Sequence, residues 1–223
     1  MQDELRPLAP EALERLPVFP LPRVVFFPGS VLPLHLFEPR YREMMEHCID
    51  GPMAMAVTML APGWEDEYDS NPPIHELAGA GRIVEHRRRP DGRFDLLLAG
   101  VHRVRLEELP DEEGRHFRMA KATVLPDRVP EAVGRALPSV LATASSVVTL
   151  IRERYPDFTL DVGAGTPPGL VADRIADRLV SEPEARQRLL EALDVKVRLH
   201  HVADELVDLL AHLRAEGFGG ALN

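Results

Sequence analysis

Nine histidines, one cysteine and a run of arginines carry whatever chemistry this sequence offers. His200 and His201 are adjacent, and on a helix neighbours diverge by about 100° instead of converging on one ion. His201 and Glu205 have i, i+4 spacing, but without a third ligand such a pair reads as a solvated helix face. His75, Glu76, His86, His102 and His116 follow no ligand pattern. For nucleophilic catalysis, Ser145 and Ser146 lack the glycine elbow that exposes a hydroxyl, and Lys121 or Lys196 would meet them only by chance of folding. Cys48 falls on the apolar stripe of a helical segment, where a buried thiol is inert. No Gly-x-x-x-x-Gly-Lys-Ser/Thr loop occurs, so no phosphate cradle of that kind is expected. The sequence predicts no catalytic residue, no metal and no cofactor.

One cationic cluster stands out. Across residues 79–106, Arg82, Arg87, Arg88, Arg89, Arg93, Arg103 and Arg105 face only Glu85, Asp91 and Asp95, leaving +4 locally in a chain of −10. Phosphate backbones reward such patches, and Arg87, Arg88, Arg89 and Arg93 are its centre. The patch lacks interleaved aromatics for base stacking, and a solvated hairpin tip with weak ion pairs is the plainer reading. The overall charge disfavours nucleic acid and anionic membrane as partners. The 24 arginines against 2 lysines read as the codon bias of a GC-rich genome.

A third group is apolar. Phe26, Phe27, Leu36, Phe37, Met53, Met55, Met59 and Trp64 either line an adaptable groove for polypeptide or simply fill a core. Phe26, Phe37, Trp64 and Tyr68 are the candidate polypeptide-binding residues. Trp64 and Tyr68 are the better exposed of these, in a loop rich in acids (Glu65, Asp66, Glu67, Asp69).

The elements that must position these residues are legible from prolines and periodicity. Residues 1–15 read as a loose lead with a helical turn near 11–15. Residues 16–19, 24–27 and 31–36 read as short strands, because prolines at 17, 20, 22, 28, 33 and 39 interrupt the apolar run. Pro39 opens a helix over 38–50 that Gly51 stops. Residues 53–60 have the continuous apolar character of a strand buried on both faces. A loop over 61–78 leads to strands at 81–88 and 93–99 around Pro90-Asp91-Gly92. Further strands follow at 101–109 and 116–125, and closure into a small barrel would remove vulnerable edges.

After Pro126 the pattern becomes helical. A helix over 131–154 starts or kinks at Pro138, Thr166 caps the next, and Ser181-Glu182-Pro183-Glu184 matches a capping box. Asp194 caps the last, whose stripe runs through Val195, Leu199, Val202, Leu206 and Leu213. Length and this change of texture give two domains, 1–126 and 127–223. The acidic first fifteen residues do not resemble a secretory leader, and the lone Cys48 excludes an internal disulfide. A cytoplasmic protein without a membrane span is expected.

Three blocks, in order, resemble the N-terminal substrate-binding domain of Lon proteases. The first runs from Leu16-Pro-Val-Phe-Pro-Leu through Pro28-Gly29 and Leu32-Pro-Leu to Phe37-Glu-Pro-Arg-Tyr-Arg. The second is Gly81-Arg-Ile-Val, Asp91-Gly-Arg and Leu98-Ala-Gly-Val-His-Arg-Val-Arg-Leu. The third is Leu170-Val-Ala-Asp-Arg-Ile-Ala followed by Glu191-Ala-Leu-Asp-Val-Lys-Val-Arg-Leu. The resemblance implies an α+β protein: a PUA-like β pseudo-barrel with one interposed helix, then an all-α helical bundle. It also implies a non-catalytic module, without the ATPase and peptidase parts, that binds unfolded polypeptide or a protease or chaperone partner in protein quality control. PUA relatives bind RNA, so the Arg-rich hairpin at 82–105 supplies the alternative function.

Overall fold

Proline decides where the first strands can lie. The computed structural model describes residues 6–66, 71–130 and 134–219, and the chain forms two units, Met1–Pro126 and Asp127–Asn223. In the first, strand β1 (Leu16–Leu21) pairs with one neighbour through Leu16, Pro17 and Val18 and with another from Val18 onward. Pro17 and Pro20 therefore each sit where the ladder is one-sided, the setting in which a missing N–H is tolerated. Pro33 lies in β2 (Val31–Leu36), which pairs on one side only among the described residues.

Strands β3 (Ala54–Met59), β4 (Leu77–Arg88), β5 (Phe94–Glu108) and β6 (Arg118–Val124) complete a sheet of order β2-β5-β4-β3-β1-β6. A further β5–β6 pairing closes that order on itself. Among the pairings of these six strands only β1–β3 is parallel. Two strands expected at 93–99 and 101–109 are one. β5 pairs with β2 through Phe94–Ala99 and with β6 through Val104–Glu108, so it passes from one neighbour to another without a turn.

Residues 24–27, expected as a strand, join no ladder. They are buried against the sheet instead, with Phe26 2% exposed and Phe27 fully buried. Glycine makes this approach possible. A Cβ on Gly79 would collide with the Phe26 carbonyl, one on Gly81 would lie 2.8 Å from the Phe26 ring, and one on Gly100 would collide with the Phe27 carbonyl. Gly29 N–H donates to the Gly100 carbonyl at 2.8 Å, and Gly100 N–H to the Ser30 carbonyl at 2.8 Å. Gly100 is thus a contact point, not a strand break.

Helix α2 (Pro39–Ile49) follows β2 and buries Tyr41, Met44, Met45 and Cys48 against Phe19, Met55, Val57, Phe94, Leu96 and Leu98. As its apolar run predicts, β3 is buried on both faces: Met55 and Val57 join that cluster, while Ala54 and Ala56 join a second one with Leu8, Leu16, Val18 and Val104. The described part of the lead is pinned, not loose. Leu8 is buried and its N–H donates to His102 Nε2 at 3.2 Å, ahead of the short helix α1 (Pro10–Glu14).

The second unit comprises α3 (Ala136–Arg154), α4 (Pro168–Leu179), α5 (Pro183–Glu191) and α6 (Val195–Gly219). Val195, Leu199, Val202 and Leu206 of α6 are fully buried. Asp194 caps it as expected, its Oδ1 accepting from Lys196 N–H at 2.9 Å and Val197 N–H at 3.1 Å. Thr166 and Ser181 do not cap α4 and α5. Pro167 and Glu182 hold those positions without a side-chain cap bond, and a proline at the first helical turn supplies the start. The fully buried Arg198 reaches Asp127 at 2.6 Å and Asp173 at 3.2 Å. It ties residues just past the unit boundary to α4 and α6. No described helix is long and apolar enough to cross a membrane.

Two outcomes follow from this packing. Gly79→Ala forces backbone and side chain apart and should lower stability by about 1–3 kcal/mol in urea unfolding, the cost of overpacking. The half-buried His102 is held below its ordinary 6.5 by desolvation. Between that depressed value and 6.5 the unfolded chain takes a proton that the folded chain refuses. Stability should therefore fall as pH drops below 6.5, and His102→Gln should flatten that part of the unfolding curve.

Candidate functional site

A cleft of about 230 Å³ opens in the first unit. Its floor is apolar: Pro20 from β1, Tyr41 from α2, Leu60 just after β3, Pro72 and Phe117. The Phe19 ring meets Tyr41 edge-on at 4.5 Å and fixes the tyrosine. A Leu60–Ile74 bridge and an Ala61 N–H bond to the Pro73 carbonyl at 2.8 Å hold residues 71–74 beside the end of β3.

Three arginines rim the floor. The Arg40 guanidinium lies 4.7 Å over the Tyr41 ring, and its Nε donates to Glu38 at 3.0 Å. Arg118 donates through Nη2 to the Pro72 carbonyl at 2.5 Å and through Nη1 to Glu108 at 3.3 Å. Arg115 donates through Nε to the Phe117 carbonyl at 3.1 Å and through Nη2 to the Pro110 carbonyl at 2.9 Å. The Arg115 bonds brace the loop between β5 and β6 from within, and Arg118 ties the start of β6 to Pro72 and to the end of β5. Glu112, on that loop, accepts from Arg15 at 2.6 Å and lies 3.0 Å from Arg115 Nη1. Its carboxyl is held below the usual range chiefly by the Arg15 hydrogen bond. Among the described residues, no Ser, Thr or Cys lines the cleft. An apolar floor with fixed guanidinium donors suits a polypeptide side chain and its neighbouring oxygens.

A second concavity of about 550 Å³ lies on β2, β5 and β4, lined by Pro33, His35, Glu85, Arg87, Asp95 and Leu97 among others. Asp95 gathers His35 Nδ1 at 2.7 Å, Arg89 Nε at 2.7 Å and Arg87 Nη2 at 3.2 Å. These bonds, Arg89's first, hold its carboxyl well below the usual range. Arg88 pairs with Glu46 at 2.9 Å and Arg93 with Asp91 at 3.3 Å. Each of the four arginines named from the sequence thus has a carboxylate partner. The patch presents paired charge.

The described aromatic candidates fall in different settings. Phe26 fills the core, the plainer of its two expected roles. Phe37 is 58% exposed and stacks 6.2 Å from His35, beside the second concavity. Trp64 is half-buried in a single helical turn, Trp64–Asp66. Tyr68 lies outside the described residues. Sequence reasoning missed Arg40, Tyr41, Arg115 and Arg118 as a group. Arg40 and Tyr41 were visible in the Phe37-Glu-Pro-Arg-Tyr-Arg block, but Arg115 and Arg118 carry no local signal.

Two of the groups weighed for chemistry are engaged elsewhere. Burial pushes the Cys48 thiol up to about 12, and its Sγ donates to the Ala54 carbonyl at 3.5 Å. Ser146 Oγ donates to the Ala142 carbonyl one turn back at 3.2 Å. His200 and His201 are exposed, and no group of three or more metal-ligating side chains occurs among the described residues.

Comparison with known proteins places the chain. Residues 15–208 match the family model of the ATP-dependent protease La (LON) substrate-binding domain, and the chain belongs to that family. It is 30% identical over 208 residues to a Lon protease of Paraburkholderia phytofirmans, covering 90% of this chain and 25% of that protein. Against the Lon protease of Escherichia coli K12 it is 28% identical over 214 residues, covering 90% and 26%. The chain therefore spans about a quarter of the length of these curated relatives. A Lon N-terminal domain protein from Xanthomonas campestris shares the fold at TM-score 0.59 and 23% identity, over 84% of this chain and 96% of that one. The N-terminal domain of a Mycobacterium avium complex Lon protease does so at TM-score 0.66 and 17% identity, over 87% and 98%.

Proposed function

We propose that this chain is a non-catalytic polypeptide-binding module that acts in the cytoplasm in protein quality control and presents substrates to proteolysis or chaperoning. The closed strand pairing supports reading residues 1–126 as a PUA-like pseudo-barrel domain and residues 127–223 as a helical bundle domain. The observation that carries the reading is the cleft itself. A Tyr41, Phe117 and proline floor receives an apolar side chain, while the rim offers hydrogen-bond donors and, among the described residues, no Ser, Thr or Cys. Such a site holds a chain without cutting it. Family membership gives that chemistry its direction, because the matching family is one of substrate binding.

The test is calorimetric titration with a permanently unfolded, carboxymethylated polypeptide against the same polypeptide in its native fold. Saturable binding of the unfolded form alone is expected, with at least about tenfold weaker binding by Tyr41→Ala, whose aromatic anchor is lost. Equal binding of folded and unfolded forms, or no loss in the variant, refutes the reading.

A further inference from the structure

We propose that the polypeptide held in the cleft carries a lysine or arginine beside its apolar residue, and that Asp111 receives that cation. This deepens the polypeptide-binding reading and rests on it. The cleft's own cations are each matched. Arg40 pairs with Glu38 at 2.9 Å, Arg115 with Glu112 at 3.0 Å and Arg118 with Glu108 at 3.3 Å, and the His116 ring meets Glu43 at 2.8 Å. Asp111 lines the same cleft, is exposed, and makes no hydrogen bond or ion pair among the described residues. The rim holds three arginines, yet the charge there that lacks a counterpart is negative.

The place of Asp111 is set in advance. Leu109 N–H donates to the Met119 carbonyl at 2.8 Å and anchors the loop where it leaves β5. The peptide unit joining Pro110 to Asp111 is held by Arg115, whose Nη2 donates to the Pro110 carbonyl at 2.9 Å. Beyond Asp111, the Arg115 N–H donates to the Glu112 carbonyl at 3.1 Å and closes a turn. The main chain on both sides of Asp111 is thus tied before a ligand arrives, so binding has little loop order to impose. Tyr41, Pro20, Leu60 and Phe117 take the apolar side chain. A neighbouring lysine or arginine reaches the carboxylate on its flexible apolar stem. An exposed pair of this kind changes affinity only a few-fold. It selects among sequences, and the apolar floor remains the main source of binding.

Fluorescence anisotropy tests this with three labelled decapeptides, capped at both ends and alike except at the residue after a central Phe-Leu pair, which is Lys, Gln or Glu. At low salt the protein should bind the Lys peptide about two- to fivefold more tightly than the Gln peptide, the range of an exposed ion pair. The Glu peptide should bind no tighter than the Gln peptide. The gap should close in about 1 M salt, where charges are screened beyond about 3 Å. Asp111→Asn should bring the Lys peptide down to the Gln peptide, whose own unchanged affinity reports that the variant is folded. Glu153→Gln, the same change of charge at an exposed residue of α3, should leave the gap intact. Equal affinity for the Lys and Gln peptides, tightest binding of the Glu peptide, or a gap that survives Asp111→Asn or vanishes in Glu153→Gln overturns the cation site. No binding of any peptide while the carboxymethylated polypeptide still binds does the same and leaves polypeptide binding intact. Loss of that binding as well would sink the wider reading.

Discussion

The first unit depends on how closely the Phe26 and Phe27 main chain approaches β4 and β5. Gly79, Gly81 and Gly100 leave no room for a Cβ there, which would meet the carbonyls of Phe26, Ala99 and Phe27 in turn. Because of that approach, a buried apolar segment with no ladder of its own occupies space that side chains would otherwise fill. Phe26 then joins the cluster beneath α2, together with Phe19, Tyr41 and Met55. The β5 strand continues past Gly100 to pair with β6, and the pairing order closes. Ring closure leaves few open ladders, which is the usual way a small β protein avoids edge-to-edge association.

The cleft inherits its geometry from that closure. Tyr41 is fixed from behind by Phe19, a β1 residue, and Pro20 follows it in the same strand. On the other wall, β6 begins at Arg118, which bonds to the Pro72 carbonyl, and the loop before it is braced internally by Arg115 bonds to main-chain carbonyls. Guanidinium groups used this way act as struts, since most of their donors are spent within the protein. The four hairpin arginines are held differently, by carboxylates, with Arg87 and Arg89 sharing Asp95.

Much of this was legible in the sequence where the determinant is local. Pro39 opening α2, the unbroken apolar run of β3, and Asp194 capping α6 are each set by residues within a few positions of one another. Determinants that act across the chain were not legible. Gly100 looks like a strand break until Phe27 is seen against it. The Asp194-x-x-x-Arg198-Leu199 pattern was visible, but Arg198 finds Asp127 from 71 positions away. Thr166 and Ser181 had the right chemistry for caps and were displaced by prolines already committed to the first turn. The cleft suffered most, because Tyr41 and Arg115 belong to segments joined only through the folded sheet, and strut arginines leave no periodic trace. The family resemblance carried the reading where local physics stopped, and the match over residues 15–208 bears out the family.

Amide hydrogen exchange with and without a saturating unfolded polypeptide measures directly where the chain is held. New protection should concentrate at the start of α2, at residues 71–74 and along 109–118, with the hairpin around Pro90 unchanged. Protection centred on the hairpin and β2, with the cleft segments exchanging as before, would contradict this account.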